Sequence, residues 1–199
     1  MFWDKVSGFY DFFETAYNGK VYRNLGKRVA EEIGQNDVVL ECACGTGAIS
    51  KYIAPNCKQL VATDFSEGML KQTAKKCKNY TNVKIRRADM TQLMCRDNMF
   101  DKVVAGNVIH LLEEPFAAIK ELERVCKAGG KIIIPTYINA SDRTNQKAVR
   151  LLEFAGADFK RQFDINSYRK FFEGAGIKNI TYDVVNGRMP CAVAIITKH

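Results

Sequence analysis

"VVLECACGTGAIS", residues 38–50, is the stretch on which the reading of this chain turns. Val38, Val39 and Leu40 form an apolar run, Glu41 closes it, and the chain then breaks into small residues around Gly45 and Gly47. An apolar run without alternation suits a strand buried on both faces. Two glycines at such an exit allow a tight turn and let a ligand approach the backbone closely. The sequence then resumes in helical character, and a helix is predicted over residues 47–54, stopped near Pro55. Its first backbone N–H groups would face whatever sits at the loop.

Outward from this loop, strand and helix signals alternate. "QLVATD" (59–64), "VKIRRAD" (83–89), "FDKVVAGNVI" (100–109) and "KIIIPTY" (131–137) are predicted strands. Ser66 offers an N-cap with Glu67 in the first turn, followed by Met69, Leu70, Thr73, Ala74 and Cys77 at helical spacing. Lys75 and Lys76 then suit the last turn of that helix. Pro115 opens a further helix, with Phe116, Ile119, Leu122 and Cys126 predicted on its inner face and "AGG" at its end. Near the carboxyl terminus "NITYDVV" (179–185) and "CAVAIITK" (191–198) flank "NGRMP", where Asn186-Gly187 is a hairpin signal. The fold class expected is therefore α/β: a Rossmann-like, doubly wound, mostly parallel seven-stranded sheet that ends in an antiparallel hairpin, with helices on both faces. Residues 1–199 are expected to form one domain, with a helical, aromatic-rich segment over 1–37 and a ligand-binding core over 38–137. Two helices are expected over 138–178, from "QKAVRLLEFAGADF" (146–159) and "NSYRKFFEGAG" (166–176), ahead of the hairpin over 179–199.

In an open parallel sheet the ligand sits beyond the carboxyl ends of the strands, where strand order reverses. Two cofactor classes suit the loop. "GTGAIS" (45–50) is one residue short of G-x-G-x-x-G/A, with Ser50 in the third place, and Asp64 follows at the spacing of a ribose-binding acid. That leaves a NAD(P)- or flavin-dependent enzyme open. Glu41 points elsewhere, because a carboxylate at the mouth of the loop repels a pyrophosphate and favours a ligand with a cationic amine and no phosphate. S-adenosylmethionine, with an ammonium, a sulfonium and a ribose, is such a ligand.

Here the sequence resembles the class I S-adenosylmethionine-dependent methyltransferases. "LECACGTG" (40–47) is similar to their first motif, an acid followed by small residues at alternate positions. "VATDFSEGML" (61–70) resembles the second and "RRADMTQL" (86–93) the third. "FDKVVAGNVIHLL" (100–112) and "RVCKAGGKIIIPTY" (124–137) resemble the fourth and fifth. One departure is visible: Ala43 stands where the pattern usually has its first glycine, which is tolerated if φ there is negative. The resemblance implies cofactor contacts from Glu41, Cys42, Ala43, Gly45 and Gly47 in the loop, with Asp64 accepting from the ribose hydroxyls. It also implies Phe65 and Met69 beside the adenosine, Asp89 on the adenine amine with Met90 against the ring, and Asn107 at the end of strand four. The product would be S-adenosylhomocysteine. Catalytic candidates are weak: His110, the one interior histidine, and Tyr10 in an amino-terminal segment that lids the cofactor in related enzymes, where Tyr17 would also lie. Methyl transfer needs positioning more than acid–base help, so a base is required only if the acceptor must lose a proton.

For the acceptor, "GNVIHLL" (106–112) stands where base-modifying enzymes carry an Asn-Pro-Pro-Tyr-like motif. Together with "FYDFFE" (9–14), the motifs most resemble the branch containing quinone-biosynthesis and phospholipid-amine methyltransferases. That implies a small or lipid-like methyl acceptor and allows a peripheral membrane contact. Residues 138–178 would cap it with Phe154, Phe159 and Phe163 beside Arg150, Lys160 and Arg161. An RNA methyltransferase and a non-catalytic S-adenosylmethionine-binding protein are the other readings. The net charge of +8, from 30 Lys plus Arg against 22 Asp plus Glu, permits a nucleic-acid partner, but the basic residues are scattered, so no specific nucleic acid is expected. No run of about 18 apolar residues predicts a membrane span. The start lacks the basic head and cleavage site of a signal peptide, and the seven cysteines are an odd number, so a reducing, cytoplasmic setting with free thiols is expected. Cys42 and Cys44 have no complementary pair and histidines number two, so no metal site is expected.

Overall fold

A computed structural model of the chain describes residues 18–139 and 160–199. The predicted helix over 146–159, the tyrosines Tyr10 and Tyr17, and the cap residues Arg150, Phe154 and Phe159 lie outside those residues. The described elements are α1 (Gly19–Ala30), β1 (Val38–Cys42), α2 (Ser50–Ile53), β2 (Gln59–Asp64), α3 (Glu67–Lys76), β3 (Val83–Arg87), β4 (Phe100–Ala105), α4 (Pro115–Val125), β5 (Cys126–Tyr137), α5 (Ile165–Gly174), β6 (Ile180–Val185) and β7 (Cys191–Thr197).

The strands form one seven-stranded sheet in the order β3-β2-β1-β4-β5-β7-β6. β1 pairs in parallel with β2 on one side and β4 on the other, with Glu41 opposite Ala62 and Val104. Chain order therefore reverses at β1, which is the switch point anticipated for the ligand. β7 runs antiparallel between β5 and β6, so the carboxyl-terminal hairpin closes the sheet as expected.

The period of two along each strand divides the core between the two faces. Leu40, Cys42, Val103, Ile132 and Ile134 pack on one side with Ile119 and Leu122 of α4 and with Tyr168 and Phe172 of α5. Val39, Leu60, Ala62, Val104 and Ile133 pack on the other with Val21, Leu25 and Val29 of α1 and with Ile53 of α2. Burying each such branched side chain contributes about 1.5–3 kcal/mol. It also sets the orientation at the end of β1: the side chain of Glu41 shares the side of Val39, toward α1 and α2, while Cys42 shares the opposite one.

The element boundaries differ from the sequence reading where backbone conformation intervenes. β1 stops at Cys42 because Ala43 takes a left-handed φ of 50°, not the negative φ on which tolerance of an alanine there is conditioned. Gly47, at φ 80°, keeps the chain in a turn, so the helix predicted over 47–54 is one turn at Ser50–Ile53, and Pro55 falls in the 3-10 turn Ala54–Asn56 that follows. β4 ends at Ala105 rather than residue 109 because Asn107 is again left-handed, at φ 53°. β3 ends at Arg87, short of the predicted 89. "AGG" does not terminate a helix: α4 ends at Val125, and the glycines lie inside β5, next to an irregularity in its pairing with β4. Phe116 is not on the inner face of α4. It is 44% exposed and stacks on Phe171 at 5.0 Å, while Ala118 and Val125 join Ile119 and Leu122 inside. Ser66 does cap α3, its side chain accepting from the Met69 N–H at 3.2 Å.

Candidate functional site

A cleft of about 390 Å³ opens beyond the carboxyl ends of β1, β2 and β4. Glu41, Ala43, Gly45, Asp64, Phe65, Met69, Asp89, Met90 and Asn107 all line it. They come from four separate stretches of chain, and the sheet register brings them to one edge of the molecule.

Glu41 is 2% exposed, and its Oε2 accepts from the Ser50 Oγ at 2.5 Å. A buried carboxylate persists only with such compensation. Ser50 supplies it because the single turn of α2 sits against the side of β1 toward which Glu41 points. The loop beyond Glu41 is fastened from both flanks. The Cys44 N–H donates to the Thr63 carbonyl at 2.9 Å, and the Gly45 N–H donates to Asp64 Oδ2 at 2.9 Å. From α3, the Thr73 hydroxyl donates to the Gly45 carbonyl at 2.8 Å and the Lys76 ammonium to the Thr46 hydroxyl at 2.8 Å. Gly45 itself has φ 56°, and a Cβ built on it meets no atom within 4 Å. Its missing side chain leaves room at the cleft.

Asp64 ends β2 and is half-buried. Its Oδ1 accepts from the Ser66 N–H at 2.9 Å while Oδ2 holds Gly45, so one carboxylate ties β2 to the β1 loop. Phe65 is 48% exposed with the Arg87 guanidinium 5.2 Å from its ring centre, whereas Met69 is buried at the inner wall. Asp89 Oδ1 accepts from the Thr91 N–H at 2.8 Å and the Thr91 hydroxyl at 2.6 Å, a turn that presents the acid at the rim with Met90 buried beneath. Asn107 uses its side chain within the wall: Nδ2 donates to the Tyr22 hydroxyl at 3.5 Å, and Oδ1 accepts from the Cys191 thiol at 3.8 Å.

Three expected site residues are placed elsewhere. The Cys42 side chain is fully buried in the core on the far side of the sheet, and burial pushes its thiol up to about 12. Gly47 packs against α3, where an added Cβ would meet the Thr73 Cα at 3.0 Å. His110 is 4% exposed, does not line the cleft, and is held down to about 4 by burial. Tyr10 lies outside the described residues. The sequence reading missed Tyr22, Leu111 and Leu112 in the lining, and Thr73 as the anchor of the loop. Tyr22 was legible as a member of the buried stripe of α1. Which part of that stripe meets a cleft is set by packing alone.

Among the described residues, the lining holds three carboxylates, Glu41, Asp64 and Asp89, and no Lys, Arg or His. At separations of several ångströms in a partly desolvated cleft, like charges repel by kcal/mol rather than tenths. A dinucleotide pyrophosphate is therefore disfavoured. A ligand with an ammonium, a sulfonium, a ribose diol and an apolar-faced base matches the acids, the open backbone at Gly45 and the methionine walls.

Comparison with known proteins agrees. Residues 40–134 match the methyltransferase domain family. The demethylmenaquinone methyltransferase of Staphylococcus aureus is 31% identical over 134 residues, covering 64% of this chain and 55% of that protein. The chain thus spans little more than half the length of the curated relatives it matches. A structure of an S-adenosylmethionine-dependent methyltransferase from Thermotoga maritima superposes with a TM-score of 0.74 at 17% identity, covering 100% of this chain and 99% of that one. The cyclase SpnF also superposes, with a TM-score of 0.71 at 19% identity over 88% of this chain and 80% of its own, so the fold by itself does not dictate the reaction. Sheet order, the acidic loop at the switch point and the domain match coincide on the same residues, and it is the class I S-adenosylmethionine-dependent methyltransferases that this chain is similar to.

Proposed function

We propose that the protein binds S-adenosylmethionine in this cleft and transfers its methyl group to a small or lipid-like acceptor. The observation that carries the reading is a lining of three acids without a basic residue among the described residues, at the point where strand order reverses. When bound, the cofactor supplies a methyl group on a sulfonium, an electrophile that needs no further activation. Asp64 accepts from the ribose hydroxyls, since ionised acceptors make the stronger hydrogen bonds. Glu41 offsets the ammonium, Asp89 accepts from the adenine amine, and Met69 and Met90 pack on the base. Phe65 covers its outer side, and the Gly45 backbone admits the methionine part. Leu111, Leu112 and Val108 give the remaining wall an apolar character that suits a quinol-like acceptor. The similarity to a demethylmenaquinone methyltransferase supports that class. Such an acceptor would bring the protein to a membrane surface only peripherally; no described helix is long and apolar enough to cross one.

Two measurements test the proposal. Calorimetry should find S-adenosylhomocysteine binding with NAD at least a hundredfold weaker, and tight NAD binding without a response to S-adenosylhomocysteine would overturn it. Turnover of S-adenosylmethionine across a panel of quinols, amines and thiols then separates an enzyme from a protein that only binds the cofactor.

A further inference from the structure

Along the sequence the basic residues are scattered, but the fold gathers their excess. Residues 51–88 contain nine Lys or Arg and two acids, Asp64 and Glu67, whereas the other 161 residues contain 21 and 20. Nearly all of the net charge of +8 therefore belongs to β2, α3 and β3, which lie together at the end of the sheet where β3 is the edge strand. Lys71 and Lys75 are exposed one turn apart on α3, opposite the buried Met69 and Thr73, and Lys78 continues their line just past the helix end. On β3 the alternation turns Lys84 and Arg86 to one side and Arg87 to the other, and all three are exposed. Arg87 Nη1 lies 3.5 Å from Glu67 Oε1 at the start of α3, which joins the cations of the strand to those of the helix. At the foot of the same flank, the Asn82 amide donates to the Cys57 carbonyl at 2.9 Å, which brings in the exposed Lys58.

Elsewhere, Arg28, Arg124 and Lys131 are each met by a carboxylate at 2.6–2.8 Å. On this flank, among the described residues, no carboxylate stands within ion-pairing distance of Lys58, Lys71, Lys75, Lys78 or Lys84. Cations held this close repel one another and project a positive field, which attracts an extended anion. The form of the face selects among such anions. It is an outer edge, and none of its basic side chains lines the cleft or the pocket beside it. Its large exposed hydrophobic residue, Phe65, has the Arg87 guanidinium 5.2 Å from its ring centre, so no row of open rings awaits stacked bases. Lysines predominate, and these are mobile point charges rather than planar forks that grip single phosphates. We propose that this β3 flank docks the protein on an anionic lipid bilayer. The choice of a bilayer rests on the reading of a lipid-like acceptor, and the face adjoins the cleft at Phe65, where such an acceptor would arrive.

The test is co-sedimentation of the full chain with vesicles of phosphatidylcholine alone or mixed equally with phosphatidylglycerol, at low and high salt. The expected result is binding to the mixed vesicles only, weakened by salt. Lys71→Gln, Lys75→Gln and Lys78→Gln combined should lower the partition coefficient about a hundredfold, or about fivefold for each lysine neutralised. The control removes the same charge at the far end of the sheet, beside β6: Arg169→Gln, Lys170→Gln and Lys178→Gln, all exposed, should leave the partition within about twofold. No binding to mixed vesicles would overturn the proposal, and so would an equal loss in both triple variants, which would mark attraction by net charge alone. A hairpin RNA bound more tightly than the mixed vesicles, and lost in the α3 variant, would assign the flank to nucleic acid instead. Vesicle binding is read without cofactor or acceptor, so its failure leaves S-adenosylmethionine binding standing, and failure of S-adenosylhomocysteine to bind leaves the vesicle result intact.

Discussion

Asp64 carries two burdens. The sequence marks it as the acid at the end of strand two, where the resemblance places a ribose contact. The structure adds that its two oxygens hold the N–H groups of Gly45 and Ser66. Asp64→Ala should therefore do more than weaken S-adenosylhomocysteine binding by roughly 1.5–3 kcal/mol, or about 10- to 150-fold. It should also lower stability by about 1–3 kcal/mol, because two donors lose their acceptor. Asp64→Asn keeps one carbonyl acceptor and should recover part of each. Calorimetry and denaturant melts on both variants check this, and an Asp64→Ala protein that binds as tightly as the parent would remove the ribose role. An acid at a strand end is not core, yet here it is the joint between two strands.

At the level of elements, the loop after β1 is shaped less by its own helix than by α3. One turn of α2 offers few N–H groups, and the loop instead hangs on Thr73 and Lys76. Thr73 reads in sequence as one more small residue on the buried face of α3, which it is. Its hydroxyl is the part that matters, and no periodicity distinguishes a threonine that only packs from one that anchors. Thr73→Val preserves shape while leaving the Gly45 carbonyl without this donor. It should reduce S-adenosylhomocysteine affinity several-fold although Thr73 does not line the cleft, with a stability loss of about 1–3 kcal/mol. Thr73→Ser should restore both. A Thr73→Val protein with parental affinity would show that the loop holds its shape without α3.

At the scale of the whole molecule, the buried His110 links stability to pH. The unfolded chain takes up a proton near the ordinary histidine value of 6.5, while the folded chain resists it until about 4, because burial disfavours the cation. Between those values the unfolded state binds more protons, so stability falls as pH falls, by roughly 1 kcal/mol per pH unit. The carboxylates held below their ordinary values by partners, Glu32 beside Lys131 and Asp183 beside Arg28 among them, also lose stabilising charge on acidification, but only at lower pH. The upper part of the window therefore belongs to His110. Urea melts from pH 7 to 5 should show this slope in the parent and a flatter one in His110→Gln, judged on slope rather than absolute stability. Equal slopes would place the proton uptake on another group.

The sequence by itself determined the α/β class, the alternation that builds a parallel sheet, the terminal hairpin and the acids at or just beyond the exits of the first three strands. Each of these rests on a local signal: an apolar run, a cap, an Asn-Gly turn or a charge at a strand exit. Only the tertiary structure decided which of those residues meet. The order of strands around β1 gathers Glu41, Asp64, Asp89 and Asn107 at one edge, brings Tyr22 in from α1, and turns Cys42 and His110 away. It also decided the backbone of Ala43, because φ there follows from hydrogen bonds to β2 and β4 that sequence spacing does not encode. Local chemistry sets what each residue can do, and the register of non-local pairs sets what it does it to.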